Sequence, residues 1–350
     1  MLIPEEFKRY NRQMLMPEFG EEGQIKLKNS KVLVIGCGGL GSPILLYLAA
    51  AGIGTLGLVE NDTIDESNLQ RQILYSTSSV GQSKIEQAAN RLHALNPLVD
   101  IELHQTRLTT QNALEIFSNY DLIIDGTDNF PTRYLVNDAC VLLNKPFVYG
   151  AIHRFEGQVA VFNYKNSVTY RDLFPSPPPP EQAPNCAEAG VLGVLPGIIG
   201  SMQALEAIKV ITEIGETLAG KLFILDTLSM QSRIIKIPKS PETPKITQLI
   251  DYESFCGLKS ANEISFEELK FLDNYQLIDV RETHEYKVRN IGGELMPLSE
   301  LEKHITNISR EKTVIIHCQS GIRSKKAIKI LEETFGFNNL FNLTGGINAI

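Results

Sequence analysis

The sequence has no apolar run near the ~18 residues that would read as a membrane span. Its opening, MLIPEEFKRYNRQ, lacks both the charged and the apolar segment of a secretion signal. These absences make the cytoplasm the expected location and a membrane an unexpected partner. Cysteine is sparse. Cys37, Cys140, Cys186, Cys256 and Cys318 are odd in number and widely spaced, which argues against a disulfide framework and leaves a reactive thiol or metal use. Positive charge is also short, with 33 Lys+Arg against 41 Asp+Glu and a net charge of −8. The acid excess lies in the first 257 residues (21 basic, 28 acidic), and the remainder is nearly balanced at 12 against 13. Nucleic acid is therefore not expected as the main partner, because its phosphates call for clustered positive charge. No internal repeat is visible. At 350 residues and 43% hydrophobic, the chain can bury about two cores, taking ~150 residues per domain.

What is present is concentrated first between Lys31 and Gln72. Val32 to Ile35 is a short β-branched run, as expected of a strand buried on both faces of a parallel sheet. Gly36, Gly38, Gly39 and Gly41 follow, suited to a tight turn and to close backbone approach to a phosphate, which the next helix N-terminus would meet. Ser42-Pro43 fits a helix start, with Ser as cap. A second strand, Thr55 to Val59, ends in Glu60, placed as the acid that holds ribose hydroxyls in dinucleotide folds. To this point a nucleotide-dependent oxidoreductase fits equally well. The loop after Glu60 favours another ligand: Asp62, Asn68, Arg71 and Gln72 crowd polar and cationic groups at the phosphate end, as a triphosphate requires.

Before this stretch, Arg9 to Gln13 reads as a polar surface segment. After it, Gly81 to Leu95 has the apolar spacing of an amphipathic helix. Lys84 lies in its first turn, unfavourable for a cation on macrodipole grounds, so it is either held by a ligand or solvated. A strand at Val99 to Leu103, a helix near Gln111 to Phe117 and a strand at Asp121 to Asp125 continue a parallel α/β alternation. That last strand runs into Gly126-Thr127-Asp128-Asn129, with Pro131 starting another helix. Ligands bind at the carboxyl ends of such strands, so Asp128 should face the nucleotide, whereas Asp125 could equally be a capping or loop acid. Strands follow at Phe147 to Gly150 and Gln158 to Phe162, the second feeding a hairpin-like turn at Lys165-Asn166. Pro175 to Pro184 is a proline-rich crossing loop, and Cys186 stands at its end. A long apolar helix, Pro196 to Ile214, precedes antiparallel strands at Lys221 to Leu225 and Arg233 to Ile237, and Pro238 to Pro244 is linker-like.

A second pattern begins near Ile264. Gln276 to Val280 and Thr313 to His317 are strands, the latter leading into Cys318-Gln319-Ser320-Gly321-Ile322-Arg323 and a helix, Ser324 to Phe335. A cysteine on a strand-to-helix turn has backbone N–H groups and a helix N-terminus directed at its sulfur. Arg323 adds a positive charge, and all of these favour thiolate.

Several motifs in order carry a family resemblance: RYNRQ at Arg9 to Gln13, GCGGLGSP, SNLQRQ at Ser67 to Gln72, VGQSK at Val80 to Lys84, GTDN at Gly126 to Asn129, and CAEAGVLGVLPGIIGSMQA from Cys186. With them the N-terminal ~245 residues, about the length of one large domain, resemble the MoeB/ThiF/HesA family. These are bacterial relatives of ubiquitin-activating enzymes that adenylate the C-terminal glycine of small ubiquitin-like sulfur carriers. DVRETHEY, CQSGIR and NLTGG make the remainder resemble a rhodanese domain. The fusion is similar to adenylyltransferase-sulfurtransferase proteins serving molybdopterin synthesis and, in some organisms, tRNA thiolation. The resemblance implies an α/β architecture, a Rossmann-like ATP-binding domain over residues 1–245, a linker at 246–260 and a smaller α/β rhodanese domain at 261–350.

It also implies roles. Gly36, Gly38, Gly39, Gly41 and Asn129 would line the ATP site, with Glu60 on the ribose. Asn68, Arg71, Gln72 and Lys84 would neutralise the triphosphate, beside Asp62, and Asp128 would hold Mg²⁺. Arg12 would cross a homodimer interface to the partner's nucleotide, which replaces the surface reading of that residue. Cys318, with Arg323 beside it, would carry a persulfide received from a donor such as a cysteine desulfurase. Cys186 occupies the position that can link covalently to the carrier. The four residues between Cys318 and Arg323, one fewer than in tyrosine-phosphatase loops, make a smaller cradle suited to sulfur. Two departures stand out. Relatives hold structural zinc with two CxxC pairs, which here fall at Thr169 to Asp172 and at Glu253 to Cys256; one thiolate in four is too few for a tetrahedral site, so no zinc is expected. Rhodanese domains also continue past the Gly-Gly turn, often with tryptophan, so the final helix is expected to be incomplete. Molybdopterin synthesis is the expected pathway, with thiamine synthesis and tRNA thiolation as alternatives. A nucleotide-dependent oxidoreductase and a non-catalytic carrier-binding scaffold are more remote.

Overall fold

A computed structural model describes residues 1–178, 190–257 and 262–349. The chain forms two compact units, Met1–Tyr252 and Glu253–Ile350. In the first, β1 (Lys31–Ile35), β2 (Thr55–Val59), β3 (Asp100–His104), β4 (Leu122–Asp125), β5 (Phe147–His153), β6 (Glu156–Phe162), β7 (Lys221–Asp226) and β8 (Gln231–Lys236) make one sheet. Their order is β3-β2-β1-β4-β5-β6-β7-β8. The first five pair in parallel and the last three add on antiparallel. Having built β1, β2 and β3 in one direction, the chain returns to place β4 on the other side of β1. That reversal opens a crevice at the carboxyl ends of β1 and β4, the place where open α/β sheets bind ligands.

The helices are α1 (Pro4–Met14), α2 (Gly20–Asn29), α3 (Gly41–Ala51), α4 (Lys84–Leu95), α5 (Ala113–Ser118), α6 (Phe130–Leu142), α7 (Tyr170–Leu173) and α8 (Val194–Thr212). The apolar run of β1 is buried from Val32 onward, and α3 is apolar on nearly every face because α8 covers the side that β1 does not. Among the described residues α8 is the one helix long and apolar enough to cross a membrane by length and composition, contrary to the expectation that no such stretch exists. Half of it is buried in the fold, where Gln203 donates to the Asp125 carbonyl at 2.8 Å and Glu206 accepts from the Leu218 N–H at 2.7 Å.

Two local expectations change and a third holds. The polar segment Arg9 to Gln13 is not all surface: Tyr10 is buried with its hydroxyl accepting from Asn96 at 2.8 Å, and Gln13 donates to the Ala51 carbonyl at 2.8 Å, while Arg12 is exposed. Ser42 does not cap α3 by accepting a hydrogen bond; its hydroxyl donates to the Gly38 carbonyl at 2.7 Å, tying loop to helix. The turn at Lys165-Asn166 after β6 forms as expected: both residues are left-handed (φ 49° and 61°), and the Ser167 N–H donates to the Tyr164 carbonyl and the Asn163 N–H to the Val168 carbonyl, both at 2.9 Å; a second hairpin lies at Arg154-Phe155, between β5 and β6.

A buried polar clasp fastens the end of this unit. Asp138 on α6 takes two bonds from Arg171 on α7, both at 2.8 Å, and a third at 2.8 Å from the Tyr252 hydroxyl. The residue after Arg171, Asp172, accepts from the Thr169 N–H at 2.7 Å, the Ser240 N–H at 3.0 Å and the Thr243 hydroxyl at 2.6 Å. These side chains occupy the region where the family resemblance puts the first CxxC pair. They also draw Tyr252, inside the expected linker 246–260, into the first unit, where it is buried.

The second unit is a five-stranded parallel sheet in the order β11-β10-β12-β13-β9, built from β9 (Glu263–Ile264), β10 (Tyr275–Asp279), β11 (Glu294–Leu295), β12 (Thr313–His317) and β13 (Leu340–Leu343). Val314 and Ile316 of β12 pack into one apolar cluster and Ile315 into another on the opposite face. This two-sided burial is why the strand reads as an unbroken apolar run. Removing one partner of a buried ion pair strands the other charge. Asp138→Ala should therefore cost about 3 to 5 kcal/mol of first-unit stability in a urea titration of the full chain, and Tyr252→Phe about 1 kcal/mol.

Candidate active site

The crevice between β1 and β4 is a cleft of about 630 Å³. Its floor is set by three glycines in contact. Gly36 has φ +86°, and a Cβ there would meet the Gly126 carbonyl at 3.2 Å; a Cβ at Gly41 would overlap the Gly36 carbonyl oxygen. Gly41 is thus behind the loop and absent from the cleft wall, while Gly36, Gly38 and Gly39 line it. The remaining sequence candidates Glu60, Asp62, Asn68, Arg71, Gln72, Lys84, Asp128 and Asn129 all line the same cleft. Arg12 does not; it lies exposed on α1.

The side chains are held by short local contacts. Glu60 accepts the Cys37 N–H at 3.1 Å on one oxygen and the Asn61 and Asp62 N–H groups at 2.9 and 3.0 Å on the other. Lys84 is buried and pairs with the exposed Asp62 at 3.1 Å, which removes the alternative of a solvated lysine. Its position at the start of α4 is fixed by its own N–H, which donates to the Asp62 carbonyl at 3.0 Å. Arg71 donates to the Ser67 carbonyl at 3.1 Å. Asn129 caps α6 by accepting the Thr132 N–H at 3.0 Å, so its side chain shapes the wall as well as facing it. Asp125 is buried and accepts from the Thr127 N–H and hydroxyl at 2.9 and 2.6 Å, which settles it as the loop acid; burial raises its pKa.

Arg133 was not legible as a site residue. It lines the cleft, is buried, donates to the Thr127 carbonyl at 3.3 Å and lies over the Tyr149 ring at 5.6 Å. Its Nε and the Gln72 Oε1 are buried without a hydrogen-bond partner. Such orphaned groups in a ligand-free cleft are what an incoming polar ligand would satisfy. Arg107 also lines the cleft. In sequence Arg107 sits among ordinary polar residues and Arg133 within an apolar helical run, and only the α6 turn after GTDN hinted that the stretch returns to the nucleotide side.

In the second unit Cys318 follows β12 and is buried. Its sulfur accepts the Gly321 N–H at 3.1 Å and the Ser324 hydroxyl at 3.5 Å. Burial opposes the thiolate, but the Ser324 hydroxyl and the N–H groups of Ser324, Ser320 and Gly321 outweigh it and lower the Cys318 pKa. The NLTGG turn seals the cradle from behind. Ile347 and Asn348 N–H groups donate to the Cys318 and Gln319 carbonyls, both at 3.0 Å, and a Cβ at Gly346 would overlap the Cys318 carbonyl. Arg323 does not offer a free charge to the sulfur as expected. Its guanidinium makes a two-pronged pair with Glu285 at 2.6 and 2.7 Å. Cys186 lies outside the described residues. Among the described residues no group of three or more His, Cys, Asp or Glu side chains could hold a metal ion.

A Rossmann-type sheet with a glycine-floored cleft lined by four basic and four acidic side chains, carried with a parallel sheet that cradles a cysteine, defines an enzyme that activates one group with a nucleotide and moves sulfur. The chain belongs to the ThiF family, whose model matches residues 10–245, and a rhodanese-like domain model matches residues 265–350. It is an enzyme of the adenylyltransferase/sulfurtransferase class. It is 47% identical to a probable adenylyltransferase/sulfurtransferase MoeZ of Mycobacterium tuberculosis, over 99% of this chain and 93% of that protein. It is 53% identical to a sulfur carrier protein adenylyltransferase of Thermus thermophilus, over 73% of this chain and 98% of that protein. Adenylyltransferase and sulfurtransferase MOCS3 of Drosophila yakuba is 42% identical over 99% and 83%. Among solved structures, E. coli MccB in complex with N-formylated MccA superposes with a TM-score of 0.61 at 23% identity, over 73% of this chain and 77% of that one, a likeness of fold.

Losing a donor to the thiolate raises the thiol pKa. Ser324→Ala should shift the pH midpoint of iodoacetamide alkylation at Cys318 upward, towards the ordinary thiol value of about 8.5.

Proposed function

We propose that the chain uses ATP to adenylate the C-terminal glycine of a ubiquitin-like sulfur carrier ending in Gly-Gly, and then converts the acyl-adenylate to a thiocarboxylate with sulfur carried on Cys318. The observation that carries this reading is the gathering of Arg71, Lys84 and Asp128 on one glycine-floored cleft, in a chain that also holds a thiolate-favouring cysteine. The chemistry suits the inventory. A terminal carboxylate, with a pKa of about 3.3 to 3.7, is already an anion at neutral pH and needs no general base. Its obstacle is repulsion by the triphosphate, so positioning and charge neutralisation are the tasks. Arg71 and Lys84, with Asn68 and Gln72, hold the phosphates, and Glu60 takes the ribose.

Asp128 holds Mg²⁺. One wall carboxylate suits this ion, which keeps several waters and binds through one or two carboxylates plus substrate phosphates; when bound it offsets phosphate charge. Arg133, buried with an unpaired Nε on the wall, is a further cation for the same anions. Arg12 of the partner subunit completes the site across a homodimer. Exposed Phe7, Leu15 and Met16 beside Arg12 support that interface. The carrier carboxylate displaces pyrophosphate, the terminal sulfur of the Cys318 persulfide displaces AMP, and a thiol reduces the remaining S–S bond to free the thiocarboxylate. Where Cys186 links to the carrier, its thiolate attacks the carrier-borne sulfur of the acyl disulfide and Cys318 leaves as thiolate, the reducing thiol then acting on the new S–S bond; a cysteine desulfurase supplies the sulfur, and the reaction proceeds in the cytoplasm without structural zinc. Molybdopterin synthesis is the pathway we favour over thiamine synthesis and tRNA thiolation, on the strength of the rhodanese fusion.

Carrier-dependent exchange of labelled pyrophosphate into ATP is expected, and its absence with every native Gly-Gly carrier would overturn the adenylation reading. Lys84→Ala should reduce that exchange at least ~30-fold, the loss of one charge-assisted contact to phosphate. Cys318→Ala should keep exchange and lose thiocarboxylate formation by mass spectrometry.

A further inference from the structure

The second unit contains a charge arrangement that the sulfur-transfer reading does not itself require. Sulfane sulfur can reach a cysteine from a small dianion such as thiosulfate or from a persulfide on a protein. The two donors need different mouths. Thiosulfate brings two negative charges toward a thiolate, and within a few ångströms such an approach is opposed unless a cation stands by. A protein persulfide carries one negative charge at most, none in the protonated form R–S–SH that a thiolate can attack, and it is recognised by the surface around it.

The loop's own cation is Arg323, and it is already committed. Glu285, from the helix Thr283–Val288, grips it with two bonds at 2.6 and 2.7 Å. Arg323 holds the Glu285 carboxyl down to about 2, so the pair is ionised, with no net charge, throughout the neutral range. The second arginine of the cradle is committed too: Arg281 is buried and bonds Asp279 at 2.7 Å, and its Nη1 reaches the Gln319 side chain at 3.3 Å. The other loop side chains, Gln319, Ser320 and Ile322, are neutral. Ile322, between Gly321 and Arg323, is 75% exposed, and Val288, one turn after Glu285 on its helix, is 87% exposed. Large aliphatic side chains this open on the reactive loop and on the helix that grips Arg323 suit contact with a polypeptide and offer nothing to a solvated dianion.

We propose that Glu285 is a specificity-determining residue that cancels the charge of Arg323, so that Cys318 accepts sulfur from a protein-borne persulfide and discriminates against thiosulfate. This rests on Cys318 being the sulfur-carrying residue. In the accepted transfer the Cys318 thiolate attacks the outer sulfur of R–S–SH, the inner S–S bond breaks, R–S⁻ leaves, and Cys318–S–SH forms with the proton retained on the transferred sulfur. With thiosulfate the same attack would expel sulfite and leave Cys318–S–S⁻.

The test uses the full-length protein and two donors: thiosulfate with cyanide as acceptor, and a cysteine desulfurase loaded with persulfide from labelled cysteine. Wild type should load Cys318 from the desulfurase and have a high KM for thiosulfate. Glu285→Gln, which keeps the shape and removes the charge, should lower that KM roughly tenfold, the worth of one freed charge-assisted contact, with kcat little changed. The gain should fade as salt is raised. Ile322→Asp should slow desulfurase loading about tenfold, the cost of burying a charge at an apolar contact, while Cys318 keeps its rate of iodoacetamide alkylation. That alkylation rate also reports whether the cradle of Glu285→Gln is intact. An intact Glu285→Gln cradle with an unchanged or higher thiosulfate KM overturns the proposal, as does a wild type that uses thiosulfate as efficiently as the desulfurase. Failure of wild type to load from either donor would instead overturn the role given to Cys318.

Discussion

The close approach of three glycines, Gly36, Gly41 and Gly126, is the constraint on which the first unit depends. It lets α3 begin directly on the loop that leaves β1, and it lets the β4 loop lie against the same turn. Side chains at these points would push the helix and the two loops apart. The crevice at the sheet reversal would then lose the backbone surface that a phosphate needs to meet. The polar residues of the cleft are positioned relative to that floor. Gln72 packs beside Gly38, Arg71 beside Gly39, and Glu60 bonds the N–H of Cys37 inside the glycine turn.

The second unit solves a related problem differently. Its reactive atom is a sulfur, and the cradle must favour an anion while burying it. The structure does this with neutral donors, a hydroxyl and several N–H groups, and keeps both nearby guanidinium groups paired with carboxylates. Stabilising the thiolate and controlling the field at the mouth are therefore separate functions of separate residues.

Much of this was readable from sequence because it rests on local patterns. β1, β2 and β12 are continuous apolar runs, and β2 and β12 match their expected limits residue for residue, since burial on both faces leaves little ambiguity. The cleft lining was legible because glycines, Glu60 and the loop to Gln72 are close in the chain, and Lys84 and Asp128 follow from strand–helix alternation. What escaped depends on contacts between distant residues. Arg133 reaches the cleft from α6 with its guanidinium over the Tyr149 ring of β5. The pairing of Arg323 with Glu285 spans 38 residues, so a sequence reading counts a free positive charge where there is none. Ser42 has the right type for a helix cap and sits two positions past it, since Leu40 is the cap residue, an error of register that no composition signal corrects.

The clasp of Asp138, Arg171 and Tyr252 has a consequence beyond fastening the chain. Its three groups are a carboxylate, a guanidinium and a phenol, none of which is a thiol. An oxidant that converts exposed cysteine to sulfenic acid or disulfide has no target in these contacts, and a metal chelator competes for nothing in them. The corner that holds residues 240–252 against α6 and α7 thus draws its strength from bonds indifferent to redox state, in a protein whose proposed chemistry depends on keeping another sulfur reactive.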